Sequence, residues 1–252
     1  MDSNLQNPFS LSGKQILVTG ASSGIGRAIA VECSKMGAKV IITARNEERL
    51  KETLSQMCGN GHSLIVADLT IEKDRILLAE QTPTLDGLVN CAGIVRTLLF
   101  PFIDADSLSE VMSINFTAPT LISAQLVKNK KLVKNSSIVF ISSISGSLCV
   151  WGGNSIYSAS KGAINGVMKN MALDLATKGI RVNSVTPGMI ETPVLDGGAI
   201  DEEQLTEDRK RYPLKRYGKP EEVAYAVIYL LSDASCWITG SNLVIDGGYT
   251  LN

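Results

Sequence analysis

Tyr157-Ser-Ala-Ser-Lys161 sets a phenol and an ammonium group four residues apart in a stretch patterned like a helix. At about 3.6 residues per turn, positions i and i+4 share a face, so the two polar heads can meet and pass a proton. Alone this spacing is common on solvated helix faces, and its weight comes from its company. Thr19-Gly20-Ala-Ser-Ser-Gly24-Ile-Gly26 precedes a good helical run, Arg27 to Lys35. Glycines there let the backbone approach a pyrophosphate, and a helix start offers free N–H groups and partial positive charge. A dinucleotide is the natural ligand. No GxxxxGK[ST] is present, which disfavours an ATP-type loop.

Hydride transfer to a carbonyl leaves an alkoxide that needs a proton, and Tyr157 is an acid of the right kind. Phenols titrate near about 10, so a nearby ammonium is needed to favour the phenolate in neutral solution. A hydroxyl from Ser142, Ser143 or Ser145 could donate to the carbonyl oxygen as charge develops on it. In Val111-Met-Ser-Ile-Asn-Phe-Thr-Ala-Pro119, Pro119 lacks the N–H that the Asn115 carbonyl would otherwise accept within a helix. That carbonyl could hold a water molecule.

The elements that must position these groups alternate along the chain. Short β-branched runs at Gln15–Thr19, Lys39–Thr43, Ser63–Ala67, Gly87–Asn90, Ser137–Ser142, Arg181–Val185 and Asn242–Asp246 are separated by helical patterns. The helices are expected at Ile25–Lys35, Glu47–Gln56, Ile71–Gln81, Leu108–Val127, Tyr157–Thr177 and Pro220–Leu231. This is the signature of an α/β fold, a Rossmann-type doubly wound sheet of seven mainly parallel strands with helices on both faces. No linker or repeat interrupts it, so one domain over residues 1–252 is expected. Residues 189–217, rich in charge and carrying Gly197-Gly198, follow a strand's carboxyl end, where a substrate lid is expected to sit.

Composition excludes several functions. A net charge of −1 makes no electrostatic case for nucleic acid or an anionic membrane. No apolar run reaches the roughly 18 residues that span a bilayer, and the start lacks a basic, then apolar, leader, so a cytoplasmic location is expected. Five scattered cysteines without CxxC suit reduced thiols. The single histidine, His62, lies in a turn-like segment, which argues against Ser-His-Asp hydrolysis and histidine-ligated metal; no metal is expected.

The TGxxxGxG spacing of Gly20, Gly24 and Gly26 resembles that of the short-chain dehydrogenase/reductase family, and so do Asn90-Cys-Ala-Gly93, Asn115, Ser143, Tyr157-x-x-x-Lys161 and Pro187-Gly188, in that order. The resemblance covers nearly the whole chain and lies closest to 3-oxoacyl-carrier-protein reductases and kindred bacterial carbonyl reductases. It implies an oxidoreductase that interconverts a carbonyl and a secondary alcohol, with 3-oxoacyl thioesters or another ketone, steroid or sugar as substrate. A nicotinamide-sensing protein without chemistry is the rival; such proteins often lose Tyr or Lys, and this chain keeps both.

The resemblance implies four catalytic residues: Asn115, Ser143, Tyr157 and Lys161. Ser143 is chosen over its neighbours because Ser143-Ile-Ser-Gly146 matches the family's Ser-x-x-Gly. Asn115 anchors a water linked to Lys161, and Lys161 also meets the nicotinamide ribose. Cofactor contacts are implied for Gly20, Ser22, Ser23, Gly24, Ile25, Gly26, Arg45, Asn46, Asp68, Leu69, Asn90, Cys91, Ala92, Gly93, Tyr157, Lys161, Pro187, Gly188, Ile190 and Thr192. Cys91 replaces the second Asn of the family's NNAG. Ala44 stands where members that prefer NAD carry Asp, and Arg45 could pair with a 2′-phosphate, so NADP is expected over NAD.

Leu148, Val150, Trp151, Ile94 and Met189 are candidates for an apolar pocket wall. Lys128, Lys130, Lys131, Lys134 and Lys178 are candidate contacts for an acidic carrier. The resemblance also implies a homotetramer, paired through the helices that contain Asn115 and Tyr157 and through the last helix and strand.

Overall fold

Seven strands form one sheet in the order β3-β2-β1-β4-β5-β6-β7. They are β1 (Gln15–Thr19), β2 (Lys39–Ala44), β3 (Ser63–Val66), β4 (Leu85–Asn90), β5 (Leu132–Ile141), β6 (Arg181–Pro187) and β7 (Asn242–Ile245). Every adjacent pair is parallel, so all seven strands end at the same edge. The computed structural model describes residues 7–192 and 202–251. The stretch 193–201 of the expected lid lies outside them.

Eight α-helices are described: α1 (Gly24–Lys35), α2 (Glu47–Gln56), α3 (Glu72–Gln81), α4 (Ala105–Met112), α5 (Ala118–Lys128), α6 (Ser155–Ala176), α7 (Glu202–Arg211) and α8 (Pro220–Leu231). Because successive strand residues point to opposite faces, the central strands are apolar on both. Ile16, Val18, Val40, Ile42, Val139 and Val185 pack with Ile29 of α1 and Val223 and Val227 of α8. On the other face Leu17, Leu88, Ile138, Phe140 and Val182 meet Ile122 of α5 and Ile164 and Met168 of α6.

Three departures from the sequence expectation have physical causes. The stretch 108–127, expected as one helix, is two: a π-helical turn at Ser113–Thr117 separates α4 from α5. The Ala118 N–H reaches back five residues to the Ser113 carbonyl, and Pro119 follows with no N–H to donate. β5 begins five residues before the expected Ser137, because Lys134-Asn-Ser-Ser137 is polar and hid its strand character; Asn135 there takes a positive φ of 67°. The charged run 202–211 forms α7, which lays Leu205 against Tyr212, Tyr217, Tyr249 and Ile144.

The two ends of the segment that carries α7 are tied together. Gly218 N donates to Met189 O at 3.0 Å, and Glu191 N donates to Gly218 O at 2.9 Å. Beside this stem Arg216 grips Glu222 with two bonds of 2.8 and 2.7 Å, and Lys219 N donates to the same carboxylate at 2.8 Å. The Arg216 hydrogen bonds, aided by Lys219 N–H, hold the Glu222 carboxyl down to about 2. A carboxyl lowered on folding adds stability above its ordinary value, and that stability is lost as pH falls through the folded value. Both side chains are half-exposed, so the effect is modest. Thermal melts of wild type and Glu222→Gln are therefore expected to differ most above about pH 5 and to converge as pH falls towards about 2. A difference independent of pH would show that the ion pair is not its source.

Candidate active site

The sheet brings the ends of β1, β4, β5 and β6 side by side, and the candidate residues follow those ends. Between β1 and α1 the glycine loop is drawn so tight that a Cβ on Gly26 would stand 2.3 Å from the Gly20 carbonyl oxygen. Ser23 is the N-cap of α1 but makes no side-chain capping bond, whereas Asn46 and Asp104 cap α2 and α4 with theirs. The uncapped N–H groups beside a glycine cradle fit a dinucleotide's pyrophosphate.

Thr19 connects this loop to the turn after β4. Its hydroxyl donates to Val89 O at 3.3 Å and accepts from Cys91 N at 3.0 Å and Ala92 N at 3.2 Å. Arg27 and Thr53 brace the other side: the guanidinium donates to Ser22 O at 2.7 Å and to Thr53 Oγ1 at 3.0 Å, and Thr53 Oγ1 donates to Ala21 O at 2.8 Å. None of these three side chains was singled out from the sequence. Thr19 and Arg27 flank the glycine motif, which was the available signal; Thr53 had none.

The residues expected at the adenosine end bond locally. Asp68 accepts from Thr70 N at 2.9 Å and Thr70 Oγ1 at 2.7 Å, and Arg45 lies 4.0 Å from its other oxygen. Burial pushes the Asp68 carboxyl up, but the Thr70 bonds and Arg45 outweigh it and leave it below its ordinary value. The Arg45 side chain is 67% exposed. The Asn46 side chain is occupied as an N-cap, accepting from Arg49 N at 2.9 Å. Leu69 is buried in the core, with its carbonyl bonded to Arg75 at 2.7 Å.

Asn90 is buried and donates to Ser123 Oγ at 3.0 Å. Burial pushes the neighbouring Cys91 thiol up to about 12, so it stays protonated near neutrality. Beyond β6, Ile144 N donates to Pro187 O at 3.1 Å, Gly188 N donates to Ile245 O at 3.1 Å, and Ile190 is buried. The Thr192 methyl carbon lies 3.4 Å from where a Cβ on Gly24 would be, so the glycine loop and the segment after β6 stand face to face.

The catalytic candidates gather beside Gly93. A Cβ there would be 3.2 Å from Asn115 Oδ1 and 3.6 Å from Lys161 Nζ. Lys161 is buried and donates to Ile141 O at 2.8 Å, using one of its three ammonium donors. Its Nζ is 5.7 Å from the centre of the Tyr157 ring. Asn115, also buried, accepts from Ile94 N at 2.8 Å and donates to Ile94 O at 2.9 Å.

The three neighbouring serines separate by their partners. Ser142 and Ser145 are buried and bond to Lys161 O at 3.4 Å and Ser158 Oγ at 2.8 Å respectively. Ser143 is only partly buried, and its oxygen accepts from Ser145 N at 3.1 Å, which leaves its own proton to donate. Among the tyrosines, burial pushes Tyr212 up to about 12 and raises Tyr217 as well; both phenols bond inside the wall built by α7.

Of the expected pocket residues, Trp151 and Met189 join that wall, with Trp151 Nε1 donating to Tyr249 OH at 3.2 Å. Ile94 is partly buried, and Leu148 and Val150 are exposed. Within one chain, the lysines expected to meet a carrier lie at the opposite edge of the sheet. Lys128, Lys130, Lys131 and Lys134 cluster at the amino end of β5 and Lys178 just before β6, so the length of the sheet separates them from Gly93.

The family described as enoyl-(acyl carrier protein) reductase matches residues 20–250. Over 238 residues the chain is 37% identical to the 3-oxoacyl-acyl-carrier-protein reductase FabG of Rickettsia prowazekii, covering 94% of this chain and 97% of that protein. A short-chain type dehydrogenase/reductase from Mycobacterium marinum superposes with a TM-score of 0.88 at 32% identity, covering 97% and 98% of the two chains. The chain belongs to the short-chain dehydrogenase/reductase family. A putative 2-deoxy-d-gluconate 3-dehydrogenase from Agrobacterium tumefaciens with bound NADP is also similar, with a TM-score of 0.86 at 32% identity over 98% of this chain and 100% of that one. As a short-chain dehydrogenase/reductase, the protein is an oxidoreductase acting on CH–OH groups with a nicotinamide dinucleotide. Among the described residues no cluster of His, Cys, Asp and Glu could hold a metal, and no helix is long and apolar enough to cross a membrane.

Thr19 gives the cofactor loop its direct test. Thr19→Val keeps the shape and leaves the Cys91 and Ala92 N–H groups unpaired, at a cost of about 1–3 kcal/mol. Urea melts should show that loss, and fluorescence titration should show weaker binding of the dinucleotide. Unchanged values in both would remove Thr19 from the site's support.

Proposed function

We propose that the protein is an NADP(H)-dependent reductase that interconverts a carbonyl and a secondary alcohol, with 3-oxoacyl thioesters as its substrate class. The observation that carries this reading is the convergence of Asn115 and Lys161 beside Gly93, with the Tyr157 ring within reach of the same ammonium. Bound there in reduced form, the dinucleotide supplies the hydride. Ser143 donates its hydroxyl hydrogen bond to the substrate carbonyl oxygen and steadies the charge that develops on it. Tyr157 gives its phenolic proton to that oxygen. The Lys161 ammonium stabilises the resulting phenolate and holds the nicotinamide ribose hydroxyls. The Asn115 carbonyl, which Pro119 cannot bond, anchors the water through which Tyr157 regains its proton.

NADP is preferred because β2 ends at Ala44, where members that prefer NAD carry an acid, and the exposed Arg45 guanidinium that follows can grip a 2′-phosphate. Gly20, Ser22, Ser23, Gly24, Ile25 and Gly26 would hold the pyrophosphate, and Pro187, Gly188, Ile190 and Thr192 would hold the nicotinamide end. The α7 segment covers the substrate as a lid hinged at the bonds between Met189 and Gly218. Thioesters fit the exposed apolar rim on the two loops that carry the site: Val95, Leu99, Phe100, Leu148 and Val150. A carrier-bound substrate must approach this edge, not the lysines at the far end of β5. A sugar-acid substrate is the second reading, supported by the likeness to the gluconate-type dehydrogenase. The assembly is a cytoplasmic homotetramer in which copies cover exposed Leu108, Leu121 and Leu173 on one side and Trp237 and Leu251 on the other.

Tyr157→Phe is expected to abolish turnover while NADPH still binds; retained activity would overturn the mechanism. Arg45→Ala should weaken NADPH by about tenfold, the loss of one charge-assisted pair, and leave NADH unchanged. Equal effects on both dinucleotides would refute the 2′-phosphate contact. Following NADPH oxidation with 3-oxoacyl thioesters and, in reverse, NADP reduction with aldonic acids separates the two substrate classes.

A further inference from the structure

Ser160 is fully buried, one residue before Lys161. Its hydroxyl joins two of the catalytic candidates directly: Oγ donates to the Tyr157 carbonyl at 2.7 Å and accepts from Asn115 Nδ2 at 3.1 Å. The rest of the Asn115 carboxamide is taken by both backbone groups of Ile94. One hydrogen-bonded line therefore runs from the loop after β4, through the π-helical turn, into the first turn of α6.

The line has a fixed direction. A serine hydroxyl has one proton, and a carbonyl can only accept, so that proton goes to Tyr157 O. The other side of Oγ can then only accept, and an N–H must face it. This sets the Asn115 amide with its nitrogen towards α6 and its oxygen towards the Ile94 N–H. The reversed amide would set oxygen against oxygen at Ser160 and N–H against N–H at Ile94. A serine within a helix ordinarily bonds back to its own helix and does little more. Burial alone does not produce such a link, since the buried Ser136 hydroxyl has no hydrogen-bond partner among the described residues.

We propose that Ser160 is a positioning residue for the carbonyl–alcohol interconversion, locking the Asn115 amide and the Tyr157 backbone into one register. The proposal rests on the catalytic reading of Tyr157 and Asn115 given above. Ser160 touches neither substrate nor cofactor; it fixes where the groups that do so begin. Its loss leaves the Asn115 amide held by Ile94 alone and lets the π-helical turn shift against α6, which misplaces the water site and the phenol together.

The test uses the full chain and four variants, Ser160→Ala, Asn115→Ala, the double substitution and Tyr157→Phe, with kcat, KM, NADPH titration and thermal melts for each. Ser160→Ala is expected to lower kcat about tenfold with KM and NADPH affinity within about twofold, as one lost hydrogen bond in the transition state would do. Combined with Asn115→Ala it should lower kcat no further than Asn115→Ala alone, because both remove the same link. Wild-type kcat in Ser160→Ala, multiplying losses in the double variant, or a parallel loss of NADPH binding and melting temperature would each overturn the positioning role. An active Tyr157→Phe would instead overturn the catalytic reading beneath it; an inactive one beside a fully active Ser160→Ala sinks the positioning role alone.

Discussion

Parallel pairing is the constraint on which the rest of the structure depends. With all six strand pairs parallel, every strand finishes at one edge, and every loop that leaves a strand starts there. Residues as far apart in the chain as Gly20, Gly93, Ser143 and Pro187 become neighbours for that reason alone. The same geometry sends the lysines around β5's amino end to the far edge, which no reading of charge along the chain could foresee.

Within that frame the site is held by buried polar side chains that bond to backbone. Thr19 ties the β1 and β4 loops, Lys161 ties α6 to the end of β5, and Asn115 ties the π-helical turn to Ile94. Each leaves a buried N–H or carbonyl unpaired if removed, so each constrains geometry more strongly than an apolar contact of similar area. The interruption between α4 and α5 belongs to the same scheme. A regular helix through 108–127 would still have left the Asn115 carbonyl without the Pro119 N–H; the wider turn sits just before that proline, and the Asn115 side chain there bonds Ile94.

The lone histidine shows how such bonding assigns a residue to structure. His62 Nδ1 accepts from Val40 N at 3.1 Å and its other ring nitrogen bonds Cys58 O at 2.9 Å, so both are used in joining the turn before β3 to β2. Its sequence setting, a glycine-rich turn with no second ligand nearby, had already pointed that way.

The sequence by itself determined the fold class, the number of strands, the dinucleotide loop and the membership in an oxidoreductase family. Those features are written locally, in hydrophobic period, in glycine spacing and in chemistry carried by motifs a few residues long. It left the helix at Glu202–Arg211 hidden, because charge dominates that run and Leu205 alone marks its buried side. The early half of β5 was obscured for the same kind of reason by Lys134-Asn-Ser-Ser137. Tertiary structure alone decided that Thr19 ties the first strand's end to the turn after β4 and that Ser160 links Asn115 to Tyr157. These depend on hydrogen bonds between residues 45 or 72 positions apart, as in Asn115 with Ser160 and Thr19 with Cys91. A short directional bond exists only once packing has brought donor and acceptor together, and no local pattern in the chain records it.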